Sequence, residues 1–556
     1  MILLYYRVMT KFKYLILLSI FFISFLKVEA LDIQYGSILG NKGNNVLIQY
    51  YGIEKKNNYI CNVLSFKCIT TKKTNLGATI PTTFKASIKK ELKEKEASHA
   101  TLSRSNKWLA YYISAEEPDN VRTYVIKDIK KDVNYIVSSG VSYWDLVDEQ
   151  KTVFLFSPDE KTLIYTDDKD DTMSLYKVDM STLTNTTFEN TKISVTAWNI
   201  ATFMFYDSQT IYYVGNSKEN PYKWSLYKLN LKTGIDEIIE TDVSYVDSIK
   251  KIGSSLVFIS LQEKGYGPEI YNPKTKKLSY LKVPNISTKK IIKNEEYIKV
   301  GNGTGIIMTP PNYDANKTYP VLIWLHGGPL RQTSMGYHPY HSYGLYDAML
   351  KLLQKNDVLV LKLDYRGSFG FGRAYSESIK GSVGLGDIED VMEAVQYVKN
   401  KYHISNIYLS GNSYGGYMSL RAVVEHPETF KGVFSINGVT DWEALMVKMK
   451  TSIFNTQFYG LPNEENRKLY DQASIINKIS NLGNQRIEII QGEADRTIPL
   501  WQATLLYDKL KEAKKNVNLV TYPREDHVFK YKKNIGDICV RMFGLIGIEP
   551  DKECNN

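Results

Sequence analysis

The chain has 556 residues, a formal net charge of +10 and a pI near 8.9. Hydrophobic residues make up 43% and aromatics 12%, which excludes a disordered or fibrous chain and sets a prior of two to four packed domains. The 70 basic residues are interspersed with 60 acidic ones, as in Lys89-Lys-Glu-Leu-Lys-Glu-Lys-Glu96, with no arginine-rich or aromatic-basic stripe. Such a surface is solvated, and nucleic acid is excluded as an expected partner. Nothing in the pattern sets an oligomeric state.

Residues 1–30 read as a secretory signal peptide. Arg7, Lys11 and Lys13 precede an uncharged apolar run from Tyr14 to Leu26, and Val28-Glu-Ala30 supplies small residues for cleavage. The run is shorter than the roughly 20 residues of a membrane-spanning helix, and a retained anchor is the lesser alternative. A secreted chain without stable membrane insertion after cleavage, carrying a net charge of +7, is the expectation. All four cysteines lie beyond the leader. Two disulfides with three connectivities are available, and near-neighbour pairing, Cys61 with Cys68 and Cys539 with Cys554, is expected. No C-x-x-C or paired histidines point to a metal. Asn185, Asn285, Asn302 and Asn316 begin glycosylation sequons.

Residues 31–285 read as short strands between polar turns. Tyr124, Tyr176, Tyr227 and Tyr271 each end a strand-turn-strand unit and recur at spacings of 52, 51 and 44. Such periods predict four-stranded propeller blades, and this length holds about five at roughly 50 residues each. Residues 286–305 read as a link into the second unit, 286–556. There, strands at Pro320–Leu325 and Asp357–Leu363 alternate with a helix over Gly386–Lys401. Strand–helix alternation predicts a mostly parallel sheet covered on both faces. Asp387 and Asp390 begin that helix and are read as structural, favoured by its dipole.

Gly411-Asn-Ser-Tyr-Gly415 has the form G-x-S-x-G, between an apolar strand (Asn406–Ser410) and a helix (Met418–Glu425). Strand, sharp turn and helix put Ser413 at the tip of an exposed elbow, and glycines on either side permit a turn too tight for a Cβ. A serine nucleophile needs a base, and an acid to orient it. In chain order the acid follows a strand and the histidine comes last. His527, just past the strand Val517–Thr521, is the base. Asp495, in the loop after Arg486–Ile490, is the acid, with Glu493 the weaker alternative. The backbone N–H groups of Tyr414 and of Gly328, in His326-Gly-Gly-Pro329, are candidate oxyanion donors.

On His326-Gly-Gly-Pro329, Asp364-Tyr-Arg-Gly-Ser-Phe-Gly-Phe-Gly-Arg373, Gly386-Asp-Ile-Glu-Asp390, the elbow, Gln491-Gly-Glu-Ala-Asp495 and Asp526-His527, residues 290–548 resemble the catalytic domain of the prolyl oligopeptidase family. Within it they are similar to the acylaminoacyl-peptidase and dipeptidyl-peptidase V branch. The dipeptidyl-peptidase IV branch usually has Trp where this chain has Asn412. The resemblance implies an α/β-hydrolase domain preceded by a β-propeller, which is short or incomplete in this chain because relatives usually have seven or eight blades. It implies a secreted serine peptidase acting on short peptides through an acyl-enzyme, releasing N-terminal dipeptides, with no metal or organic cofactor. Glu116-Glu117 is the one acid pair in that half placed to read a substrate amine, but solvent-facing turn residues are the weightier reading. Alternatives are an acylaminoacyl or oligopeptidase activity, an esterase on the same fold and, from another class, an inactive binding propeller.

Overall fold

The computed structural model describes residues 34–555 apart from 43–44, 53–54, 66, 72–85, 115–120, 142–151, 184–189, 194, 244–248, 263–264, 282, 284–293 and 450–453. The expected leader, Glu116-Glu117, Asn185 and Asn285 lie outside the described residues. Asn302 and Asn316 are exposed.

Three four-stranded antiparallel sheets follow one another over 97–141, 154–192 and 199–241, the last running in the order Asn199–Phe205, Thr210–Asn216, Trp224–Asn230, Asp236–Thr241. Alternate residues of each strand point to opposite faces. Tyr165 therefore packs with Tyr112 and Tyr124 of the preceding sheet, while its neighbour Ile164 packs with Ile211 and Tyr213 of the following one. Tyr212 and Val214 continue the series onto Leu256 and Phe258 of the fourth group, 250–280. The recurring Tyr124, Tyr176, Tyr227 and Tyr271 all lie on the third strand of their group, and each is buried. Sheet-on-sheet burial of these aromatics is the propeller-like principle: no group covers both its faces alone.

Where about five blades were expected, the N-terminal strands of the described residues fall into five groups of four, the first and last sharing one sheet. Gln34–Lys42 lies parallel to Gly265–Asn272, so strands 34–71 extend the group 250–280 into an eight-stranded sheet. In it, Cys61 and Cys68 face each other on adjacent strands and are joined by a disulfide; Cys539 is joined to Cys554.

The second sheet of eight contains β1 (Glu295–Val300), β2 (Gly303–Met308), β3 (Tyr319–Leu325), β4 (Leu359–Asp364), β5 (Ile404–Asn412), β6 (Gly432–Ile436), β7 (Arg486–Gly492) and β8 (Val517–Tyr522). Their spatial order is β1-β2-β4-β3-β5-β6-β7-β8, parallel from β4 onward. The link expected over 286–305 is therefore shorter, because β1 and β2 already form a hairpin at the sheet edge. Side chains alternate between two cores. Val321, Ile323 and Leu325 enter one, Leu322 and Trp324 the other. This two-faced burial explains the continuous apolar runs of β3 and β4.

Leu361 is fully buried in β4, opposite Ile307 of β2 and Ile323 of β3. Leu361→Ala is expected to destabilise the hydrolase unit by about 2–5 kcal/mol, through lost transfer energy and a residual cavity. A fall in the urea midpoint checks it.

Candidate active site

Ser413 follows β5 directly and has φ 56° and ψ −120°. This left-handed conformation is rare for a residue with a Cβ and marks a strained tip. The following helix spans Tyr414–Glu425, starting four residues earlier than the sequence pattern indicated, because the two glycines after Tyr414 coil against neighbouring strand ends, Gly415 against β3 and Gly416 against β6, rather than extending the turn. A Cβ on Gly411 would come within 2.4 Å of the Leu325 carbonyl oxygen, and one on Gly415 within 1.9 Å. The tightness of the elbow is thus as much a matter of the neighbouring strand as of the turn itself. Ser413 N–H donates to the Ile436 carbonyl at 2.8 Å, tying the tip to the end of β6. Tyr414 is the first helical residue, so its N–H has no acceptor within the helix.

Asp495 and His527 sit on the loops after the adjacent strands β7 and β8. His527 Nδ1 lies 2.8 Å from Asp495 Oδ2. Asp495 Oδ1 accepts from the N–H groups of Thr497 and Ile498, both at 2.8 Å, and the residue is buried. With one oxygen held by the backbone, the other is fixed toward the imidazole. Glu493 points elsewhere: its Oε1 accepts from the Thr521 hydroxyl at 2.8 Å.

The turn after β3 closes the site. A Cβ on Gly327 would lie 3.1 Å from each of Ser413 Cβ, the Asn412 carbonyl oxygen and the Tyr343 hydroxyl. Gly328 has φ 131°, in the region that favours glycine, and a Cβ there would meet Leu330 N at 2.7 Å. The Gly-Gly sequence therefore lets backbone approach the serine closely.

Behind the elbow, Asp387 is fully buried and accepts from the Tyr414 hydroxyl at 2.6 Å and from Ile388 N at 2.9 Å. Burial pushes its carboxyl from 3.8 up to about 6. Asp390 is bound by Arg366, Nη2 to Oδ1 at 2.7 Å and backbone N to Oδ2 at 2.7 Å. The sequence reading placed both acids at the helix dipole; specific partners hold them as well.

Residues 345–544 match the family model described as the prolyl oligopeptidase family. The chain carries a prolyl oligopeptidase family domain. Over 347 residues it is 27% identical to a probable dipeptidyl-aminopeptidase B of Talaromyces marneffei, covering 57% of this chain and 36% of that protein. Over 228 residues it is 27% identical to an uncharacterized peptidase, YuxL, of Bacillus subtilis, covering 40% of this chain and 33% of that protein. The chain thus matches about a third of the length of these relatives. A puromycin-hydrolyzing peptidase of Mycobacterium tuberculosis superposes with a TM-score of 0.68 at 15% identity, over 92% of this chain and 79% of that one. A dipeptidyl peptidase 4 of Porphyromonas gingivalis gives 0.62 at 16%, over 89% and 68%. These likenesses show the fold: an α/β-hydrolase unit preceded by propeller-like sheets.

Two residues of this prolyl oligopeptidase family domain that the sequence did not single out stitch the loops together. Asn437, at φ 47°, donates from Nδ2 to the His527 carbonyl at 3.0 Å and accepts at Oδ1 from Gly492 N at 2.9 Å. Glu525 is fully buried; its carboxylate accepts from Lys530 N, Tyr531 N and Asn534 Nδ2, and its carbonyl from Ala494 N. Glu525 adjoins Asp526-His527, so its position was visible, but an exposed loop acid and a buried one look alike in sequence.

Asp387 gives a pH signature. Between about pH 4 and 6 the folded carboxyl keeps a proton that the unfolded chain has lost, so stability falls as pH rises through that window and is level above it. Asp387→Asn is expected to flatten this stretch of the curve, and urea titrations at pH 4, 5, 6 and 7 check it.

Proposed function

We propose that this chain is a secreted serine peptidase that cleaves short peptides and releases dipeptides from free amino termini. The pairing of His527 Nδ1 with the buried Asp495 at 2.8 Å, on loops beside the strained Ser413 elbow, carries the reading. Ser413 Oγ attacks the scissile carbonyl, and His527 takes its proton and later passes it to the leaving amine. Asp495 keeps the imidazole in the tautomer with Nδ1 protonated and stabilises the imidazolium. Tyr414 N–H and Gly328 N–H receive the oxyanion, each typically contributing on the order of 3 kcal/mol. Water then releases the acyl group by the same route reversed. In this reading residues 31–285 form a propeller-like unit that screens out folded proteins, and 286–556 the catalytic unit.

Dipeptide release agrees with the names borne by the dipeptidyl-aminopeptidase relatives. Secretion rests on the leader-like residues 1–30. Among the described residues no helix is long and apolar enough to cross a membrane.

Three substrate sets given to the protein lacking residues 1–30 test the reading: free-amino dipeptide anilides, their N-acetylated counterparts, and short acyl esters. Cleavage of the first set alone is expected. Cleavage of acetylated anilides instead identifies an acylaminoacyl or endo-acting enzyme, and turnover of esters alone an esterase. Ser413→Ala is expected to lower kcat by about 10⁴–10⁶ and Asp495→Asn by about 10⁴. Undiminished activity in Ser413→Ala overturns the nucleophile.

A further inference from the structure

His326 is outside the Ser413–Asp495–His527 set, yet it opens the turn that meets the serine. Its ring is buried and stacked on Tyr365, with centroids 4.6 Å apart and planes 15° from parallel. Nε2 faces the Ser368 hydroxyl at 2.9 Å and Asp364 Oδ1 at 3.1 Å. Asp364 is itself fixed, accepting from Thr333 N at 2.8 Å and Thr333 Oγ1 at 2.7 Å. The remaining nitrogen, Nδ1, lies 2.7 Å from the Gly327 carbonyl oxygen. A carbonyl only accepts, so a hydrogen bond to Gly327 requires a proton on Nδ1, while Nε2 can accept from the Ser368 hydroxyl or, if it too carries a proton, donate to Asp364.

The bond answers a problem that the turn creates. A Cβ on Gly327 would crowd Ser413 at 3.1 Å, and Gly328 favours glycine at its positive φ. Two successive glycines leave the peptide between them with unusual rotational freedom. The carbonyl and N–H of a trans peptide point in opposite directions, so fixing one fixes the other. We propose that His326 is a positioning residue: by holding the Gly327 carbonyl, its Nδ1–H aims the Gly328 N–H at the oxygen of a carbonyl bound at Ser413. The inference rests on Ser413 as nucleophile and Gly328 N–H as an oxyanion donor. It assigns to His326 and Asp364 the preorganisation that makes such a donor effective.

Two substitutions separate this role from simple core filling. The amide nitrogen of Asn overlays histidine Nδ1, and that of Gln overlays Nε2. His326→Gln keeps a group toward Asp364 and Ser368 but releases the Gly327 carbonyl; it is expected to lower kcat on a free-amino dipeptide anilide about 10–100-fold, with KM within about twofold. His326→Asn, despite its smaller volume, is expected to recover at least tenfold of that loss. Ser368→Ala, a milder change, is expected to lower kcat about threefold through a looser ring. Equal kcat values for the Asn and Gln variants, a loss confined to KM, or kcat losses that follow the drop in Tm overturn the proposal. If His326→Gln does not fold, an unchanged kcat in Ser368→Ala overturns it. Labelling with a fluorophosphonate probe distinguishes the two levels. Wild-type protein that neither labels at Ser413 nor hydrolyses the anilide overturns the site reading, and this inference with it. A labelled, active wild type with indistinguishable variants overturns this inference alone.

Discussion

The carbonyl oxygen of Leu325 leaves no room for a side chain at Gly411 or Gly415. Everything at the site depends on that contact. The end of β3 presses on both sides of the elbow, so the chain can leave β5 and enter a helix within one residue only by placing Ser413 in a conformation that costs of order 1–3 kcal/mol. The parallel pairing of β3 with β5, Leu325 opposite Gly411, brings the two together, and the two apolar cores on either side of the sheet supply the rigidity that sustains the strain. The same strand end continues into His326-Gly-Gly-Pro329. One strand terminus therefore shapes the elbow and supplies the turn that faces it.

The other loops are held by a small number of buried polar groups. Asn437 links the ends of β6, β7 and β8 through its side chain, and Glu525 closes the loop carrying His527 onto the residues after it. Each contact alone is modest, about 1 kcal/mol net for a neutral hydrogen bond. Their value is geometric: a carboxylate with one oxygen committed to two backbone N–H groups can offer its second oxygen in only one direction, and that is where His527 lies.

Much of this was legible in the sequence because the decisive features are local. Glycines flanking a serine, a strand before it and a helix after it are short-range signals, and the acid and histidine each follow an apolar strand. The tyrosine repeat was legible for the same reason, since each blade-like group buries its third strand in the same way. What escaped notice is non-local. The parallel contact of Gln34–Lys42 with Gly265–Asn272 joins segments some 230 residues apart, and no periodicity announces it. Asn437 sits in Ile436-Asn-Gly-Val439 like any turn asparagine. His326 precedes Ser413 in the chain, where the order serine, acid, histidine places no base, and only its four neighbours distinguish it from an ordinary turn residue. The two hairpin strands of 295–308 read as a link because their alternation is short and the sheet partner of the second, β4, lies more than 50 residues further on.

The loop from Tyr365 to Arg373 belongs to two neighbourhoods at once. Its Ser368 touches the ring of His326. Its Gly370 carbonyl accepts from Asn199 Nδ2 at 3.1 Å, and Arg373 N–H donates to the Asp171 carbonyl at 2.7 Å, both partners lying among the N-terminal sheets. The propeller-like sheets and the turn at His326 are consequently coupled through this loop. This segment, one hydrogen bond away from His326, is among the contacts that join the two units, beside Tyr222 to Thr304 and Gln332 to the Pro221 carbonyl. The N-terminal sheets thus help to fasten the loop that holds the ring of His326.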